Sequence, residues 1–155
     1  MSRIRTIKPD AFRSETLAEV PVTAERTFFG LLTEVDDEGR MKSRPAVIHG
    51  ALWSLRPEHT LADLRRDLEA LSAENVGLVC FYEQDGANYL HLPSFKEHQR
   101  VNRPTPSKLP GCPTCPPDRG GSATGRSVAE DPDQPTLPGA SGGVESGGTV
   151  TALRM

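Results

Sequence analysis

Between Thr23 and Val35 the apolar positions fall at the helical interval: Phe28, Leu31, Leu32 and Val35 recur at i, i+3, i+4 and i+7 and share one face. The spacing predicts a helix with Thr23 as its N-cap and Glu25 in the first turn, where the helix dipole favours an acid. Asp36, Asp37, Glu38 and Gly39 end it, Gly39 being suited to the left-handed C-terminal position. Arg40, Met41 and Lys42 follow as a short strand. A second helix enters through Pro45, a residue favoured in a first turn, and carries Val47, Ile48, Ala51 and Leu52 before ending near Trp53. In the third helix Leu61, Leu64, Leu68 and Leu71 make a continuous stripe. Thr60 and Asp63 have the spacing of a capping box, and Gly77 is placed to stop the helix.

Past Gly77 the period changes. Leu78 to Tyr82 is a run of strand formers, Asp85 and Gly86 supply a turn, and Tyr89 to Leu92 return as a second strand closed by Pro93. Residues 94–102 read as a short final helix. Ahead of the first helix, residues 1–14 mix Arg3, Arg5, Lys8 and Arg13 with a single acid and have no helical period, so they read as an extended basic arm. Helix, short strand, two helices and a hairpin is the order of a winged helix-turn-helix. The expected class is therefore α+β, with three helices burying one core and the hairpin closing its open side.

Composition changes this picture at one end. All eight aromatic residues lie between Phe12 and Phe95, whereas residues 105–155 hold nine Gly and eight Pro. Such a segment cannot bury enough apolar surface to offset its chain entropy, so the expected organisation is a folded domain over 1–104 and a disordered tail over 105–155. No apolar run approaches the length of a membrane span and no signal core opens the chain, so a soluble cytoplasmic protein with no membrane association is expected. Three cysteines, an odd number, fit a reducing compartment without a disulfide framework.

The strings IRTIKPDAFRSETLAEVPVTAERTFFGLLTEVDDEGR, IHGALW and EHQRVNRPTPSKLP resemble the N-terminal domain of winged-helix DNA-binding proteins encoded by actinobacterial phages and prophages. The likeness covers roughly residues 3–110. It implies a winged-helix fold, double-stranded DNA as the partner, and a role in replication initiation or helicase loading, with replisome proteins such as a helicase as further partners.

Charge supports that implication in part. The net formal charge is −3, which excludes a globally basic coat, yet three local patches are basic. They are Arg3, Arg5 and Lys8 in the arm; Arg40, Lys42 and Arg44 at the entrance to the second helix; and Lys96, Arg100, Arg103 and Lys108 near the end of the domain. Brought together, they would form a rim for phosphates, which supply most non-specific affinity. Arg65 and Arg66 lie on the polar side of the third helix and complete the candidate nucleic-acid-binding set. Asp63, Asp67, Glu69 and Glu74 outnumber them there, which makes that helix a poor generic DNA binder and keeps open a protein-interaction or dimerisation module, or a transcriptional regulator. Asn102 and Arg103 could pair with adenine and guanine, but beside Pro104 they read as chain crossing the surface. Asn88 reads as a turn residue.

Candidates for chemistry are few. Cys112 and Cys115 form a CxxC, but a four-ligand zinc site needs a second pair, and Cys80 is expected in the hairpin core. The acidic triplet Asp36, Asp37 and Glu38 sits where a helix must turn. No phosphate-binding loop, zinc-protease or nucleophile-elbow string occurs. The expectation is a protein that is not an enzyme, with no cofactor and no metal.

Overall fold

A computed structural model describes residues 2–115 of the chain. The architecture is α+β: five short to medium helices and one antiparallel sheet of three strands among the described residues. A 3-10 turn, Pro9–Arg13, leads into α1, Glu15–Ala18, whose first turn is capped by the Ser14 hydroxyl accepting from the Leu17 amide. Neither element is signalled by periodicity, because each is shorter than the window a pattern needs.

The first long helix, α2, runs Val22–Glu34. Pro21, not Thr23, is its N-cap: the φ of −56° at Pro21 already leads into the helix, and its carbonyl accepts from the Glu25 amide at 3.0 Å. The Thr23 hydroxyl is thereby released to reach another helix. The turn after α2 is closed by Asp36, whose Oδ1 accepts from the Glu38 and Arg40 amides, both at 2.9 Å. Gly39 sits there with φ +76°, and a Cβ at this position would lie 2.7 Å from the Phe95 Cβ, so both backbone sign and space demand glycine.

Strand β1, Arg40–Lys42, precedes α3, Pro45–Leu52, and α4, Leu61–Ser72. The predicted capping box on α4 is present in both directions, with Asp63 in the position usually held by Glu or Gln. Strand β2 covers Cys80–Gln84 and β3 covers Ala87–His91. The hairpin is thus shifted from the expected boundaries, because the amides of Leu78 and Val79 both donate to the Leu71 carbonyl and wrap the end of α4 instead of pairing in the sheet. Asp85 and Gly86 both have positive φ, as a tight two-residue hairpin turn of this hand requires. A final helical turn, α5, spans Phe95–His98.

The sheet order is β1-β3-β2, with Met41 opposite Leu90 and Phe81 opposite Leu90 on the two sides of β3. Alternation then assigns two faces. Met41, Leu90 and Phe81 belong to the face on the helices, where Leu90 joins Leu31, Val35, Ile48, Leu64, Leu68 and Leu71 in one buried core. Arg40, Lys42, Cys80, Tyr82, Tyr89 and His91 belong to the outer face.

That outer face is not bare. Residues 105–110, expected to open a disordered tail at 105, run along it: the Tyr82 hydroxyl donates to the Pro110 carbonyl at 2.8 Å, and Arg40 Nη1 donates to the Leu109 carbonyl at 3.5 Å. Residues 105–115 therefore do not belong to a disordered tail, in contrast to the expected boundary at 104. The prolines that suggested disorder instead keep this stretch extended, while carbonyls need no N–H of their own to accept from the sheet side chains. The rest of the expected tail, 116–155, lies outside the described residues.

Candidate nucleic-acid interface

The basic arm is a structural strap, and its central residue is unavailable to DNA. The Arg5 guanidinium is only 6% exposed. It donates to the carbonyls of Leu32 at 3.2 Å and of Val35 and Asp36 at 3.3 Å, and pairs with Asp37 at 3.0 Å. A cation that satisfies the last carbonyls of α2 works as a C-terminal cap, which periodicity cannot reveal because the partners lie about thirty residues apart. Arg3 also pairs with Asp37, and its amide donates to the Thr33 carbonyl at 2.8 Å. Thr6 exchanges two backbone bonds with the side chain of the buried Gln99. Lys8 alone of the three expected arm contacts is exposed without an ion pair.

The acidic triplet gathers both ends of the described chain. Asp37 binds Arg3 and Arg5 through Oδ1 and accepts from the Thr105 amide at 3.0 Å through Oδ2. The Thr105 amide, working against burial and with Arg5 and Arg3, holds the Asp37 carboxyl below its usual range. Glu38 accepts from the Ser107 amide at 3.0 Å, and Asp36 from the Ser107 hydroxyl. Arg40, the first of the second basic patch, is drawn into this network by Glu38 at 3.0 Å and is 17% exposed, so it too is withdrawn from the candidate set.

What remains near the hairpin is Lys42 and Arg44, both exposed and without an ion pair among the described residues. The intervening Ser43 amide donates to the Asn88 carbonyl at 2.9 Å, which sets this pair of cations beside the turn end of the hairpin and at the start of α3. On α4, Arg65 is exposed and has no ion pair among the described residues, whereas Arg66 is pinned to Asp63. Lys96, Arg100 and Arg103 are exposed near α5 and the chain that follows it.

Of the four acids counted against α4, Asp67 is buried and Asp63 is engaged at the helix start, while Glu69 and Glu74 stay exposed. Asp63 is spent in the capping box, where hydrogen bonds from Thr60 lower its carboxyl further. Asp67 is 4% exposed and points into the bundle. Its Oδ1 accepts from the Thr23 hydroxyl at 2.7 Å, and its Oδ2 from the Thr27 hydroxyl and His59 Nε2, both at 2.9 Å. Thr27 in turn accepts from the Trp53 indole N–H at 3.1 Å, and the His59 ring stacks on Trp53 at 3.5 Å between centroids. Asp67 thus joins α2, the end of α3, the loop before α4, and α4 itself. Sequence reasoning placed it on the solvent side because one polar residue within a leucine stripe carries no mark of which neighbour will receive it.

The CxxC also differs from expectation. Cys80 faces outward under residues 105–115 instead of entering the helical core, and its Sγ lies 3.5 Å from that of Cys112. No helix among the described residues is long and apolar enough to cross a membrane. No protein-family model, no curated protein and no solved structure matches this chain, so its function has to be read from the residues themselves.

Proposed function

We propose that this chain is a winged-helix DNA-binding protein that docks on duplex DNA through α4, the junction of β1 with α3, and the neighbouring hairpin. The observation that carries the reading is the fate of the α4 acids: with Asp67 buried and Asp63 closing the helix start, Arg65 projects from a face whose remaining exposed acids are Glu69 and Glu74. The order of helices and the sheet order β1-β3-β2 are compatible with a winged helix, in which this helix would enter the major groove with the hairpin beside it. Lys42 and Arg44 flank the same hairpin and supply phosphate contacts, with Lys8, Lys96, Arg100 and Arg103 as outlying cations. The likeness of the terminal strings to phage and prophage proteins extends the proposal to replication initiation, with a helicase as the protein partner.

Fluorescence anisotropy on a labelled duplex across a salt series tests this. The combined variant K42E/R44E/R65E is expected to weaken binding to every sequence and to flatten the salt dependence by about three units of slope, roughly one per phosphate contact. R5E and R40E are expected to act through stability instead. No binding by the intact protein at about 50 mM salt, where phosphate contacts are strongest, would sink the proposal.

A protein-docking reading keeps one specific support: the hairpin turn is flanked by the exposed acids Glu83 and Asp85, where a phosphate-facing wing would carry cations. Charge reversal at these two positions separates the readings, since it strengthens DNA binding if the turn lies near the backbone and abolishes capture of a basic partner if the turn is the docking point.

A further inference from the structure

Cys80 and the Cys112, Cys115 pair come from parts of the chain about thirty residues apart, yet their three sulfur atoms lie within 4.8 Å of one another. The Sγ atoms of Cys80 and Cys112 are 3.5 Å apart, well beyond the roughly 2.05 Å of a disulfide. For zinc held by thiolates at about 2.3 Å in tetrahedral geometry, adjacent sulfurs stand about 3.8 Å apart, so the cluster lies within about an ångström of the dimensions of a metal site. The Thr114 hydroxyl lies 3.1 Å from Cys80 Sγ and 3.2 Å from Cys112 Sγ, placed to donate to a thiolate as outer-shell groups do in such sites. All three cysteines are half-buried, which leaves a route for an ion to enter.

We propose that Cys80, Cys112 and Cys115 form a three-thiolate zinc site that fastens residues 105–115 across the outer face of the sheet. Thiolate sulfur selects zinc over magnesium or calcium, which take oxygen. Binding transfers no electrons: each thiol still protonated releases its proton to solvent as the sulfur–zinc bond forms, and the fourth position is left to water or an exogenous ligand. The site is built on the sheet face opposite the helical core, a face it shares with Lys42, so its test reads metal content and coordination and not DNA binding.

The test uses the full chain, purified with reductant and dialysed against buffer after exposure to zinc chloride. Elemental analysis is expected to find one zinc per chain in the parent protein and none in C80S, C112S or C115S. Loading cobalt(II) instead reports the coordination of the parent protein without relying on any variant to fold: tetrahedral d–d bands and sulfur charge transfer scaled to three thiolates are expected. Chelation of the loaded protein is expected to loosen the chain on either side of the exposed Lys108 and speed tryptic cleavage after it. Zinc retention no higher than in the triple Cys→Ser variant overturns the proposal, as does a cobalt spectrum with fewer than three thiolates, or a disulfide among these residues persisting with reductant and zinc present.

Discussion

Asp67→Ala isolates the link between the three helices of the bundle. Removing the carboxylate leaves the Thr27 hydroxyl and the His59 N–H without an acceptor in the interior, while Thr23 lies at the surface and can turn to water. Each stranded buried donor costs about 1–3 kcal/mol, so the two together give an expected loss of about 2–6 kcal/mol. That is a large share of the roughly 5–15 kcal/mol available to a domain of this size. Thr23→Val, which removes one partly exposed donor, is expected to cost about 0.5–1.5 kcal/mol. Glu69→Ala, on the solvent side of the same helix, should stay within about 0.5 kcal/mol. Urea titration followed by the fluorescence of Trp53 reads the site directly, because this is the chain's one tryptophan and His59 stacks on it. The transition midpoint should move with the slope unchanged. If Asp67→Ala unfolds at the same urea concentration as Glu69→Ala, Asp67 is not the link described and the case for α4 as a DNA-facing helix loses its main support.

Asp37→Asn should free the arm and residues 105–109 together, seen as faster amide exchange at Thr105 and Ser107 and a loss of about 3 kcal/mol from the unpaired, buried Arg5. The pH dependence follows from the lowered carboxyl of Asp37: its contribution is complete above the ordinary value of 3.8 and disappears as pH falls through the lower folded value, so acid should release both segments before the hairpin melts. Tyr82 behaves in the opposite sense. Burial, partly countered by Arg40, pushes its hydroxyl from 10.0 up to about 12, so its contribution is intact below pH 10 and declines as pH rises toward 12. Ultraviolet titration of tyrosinate should show one late-ionising group that Tyr82→Phe removes.

Much of the scaffold was legible because its signals are local. The Leu61, Leu64, Leu68, Leu71 stripe, the Thr60 and Asp63 capping box, Pro45 at a helix start and the Asp85-Gly86 turn each depend on residues within a few positions of one another, and each is present as expected. The functional surface was less legible, because a charge is functional only if nothing in the fold engages it. Arg5 and Lys8 look alike in the sequence; one ends buried on Asp37 and three carbonyls, the other in solvent. The prolines after Pro104 misled for a related reason, since composition measures what a segment can bury alone and not what a sheet face with Tyr82 and Arg40 can hold.

The same distinction bears on what net charge means here. An excess of acid argues against nucleic acid only if the acids share the surface with the cations. In this domain Asp36, Asp37 and Glu38 are engaged by the arm, by Arg40 and by residues 105–107, and Asp67 by hydroxyls and a histidine ring, so the acids that make the chain negative also hold it together. Arg5 and Arg40 leave the surface with them, and Arg3, still partly exposed, is paired to Asp37. Lys42 on β1, Arg44 before α3 and Arg65 on α4 stay exposed, as do the outlying Lys8, Lys96, Arg100 and Arg103, and these are the cations that the proposed duplex contact would use.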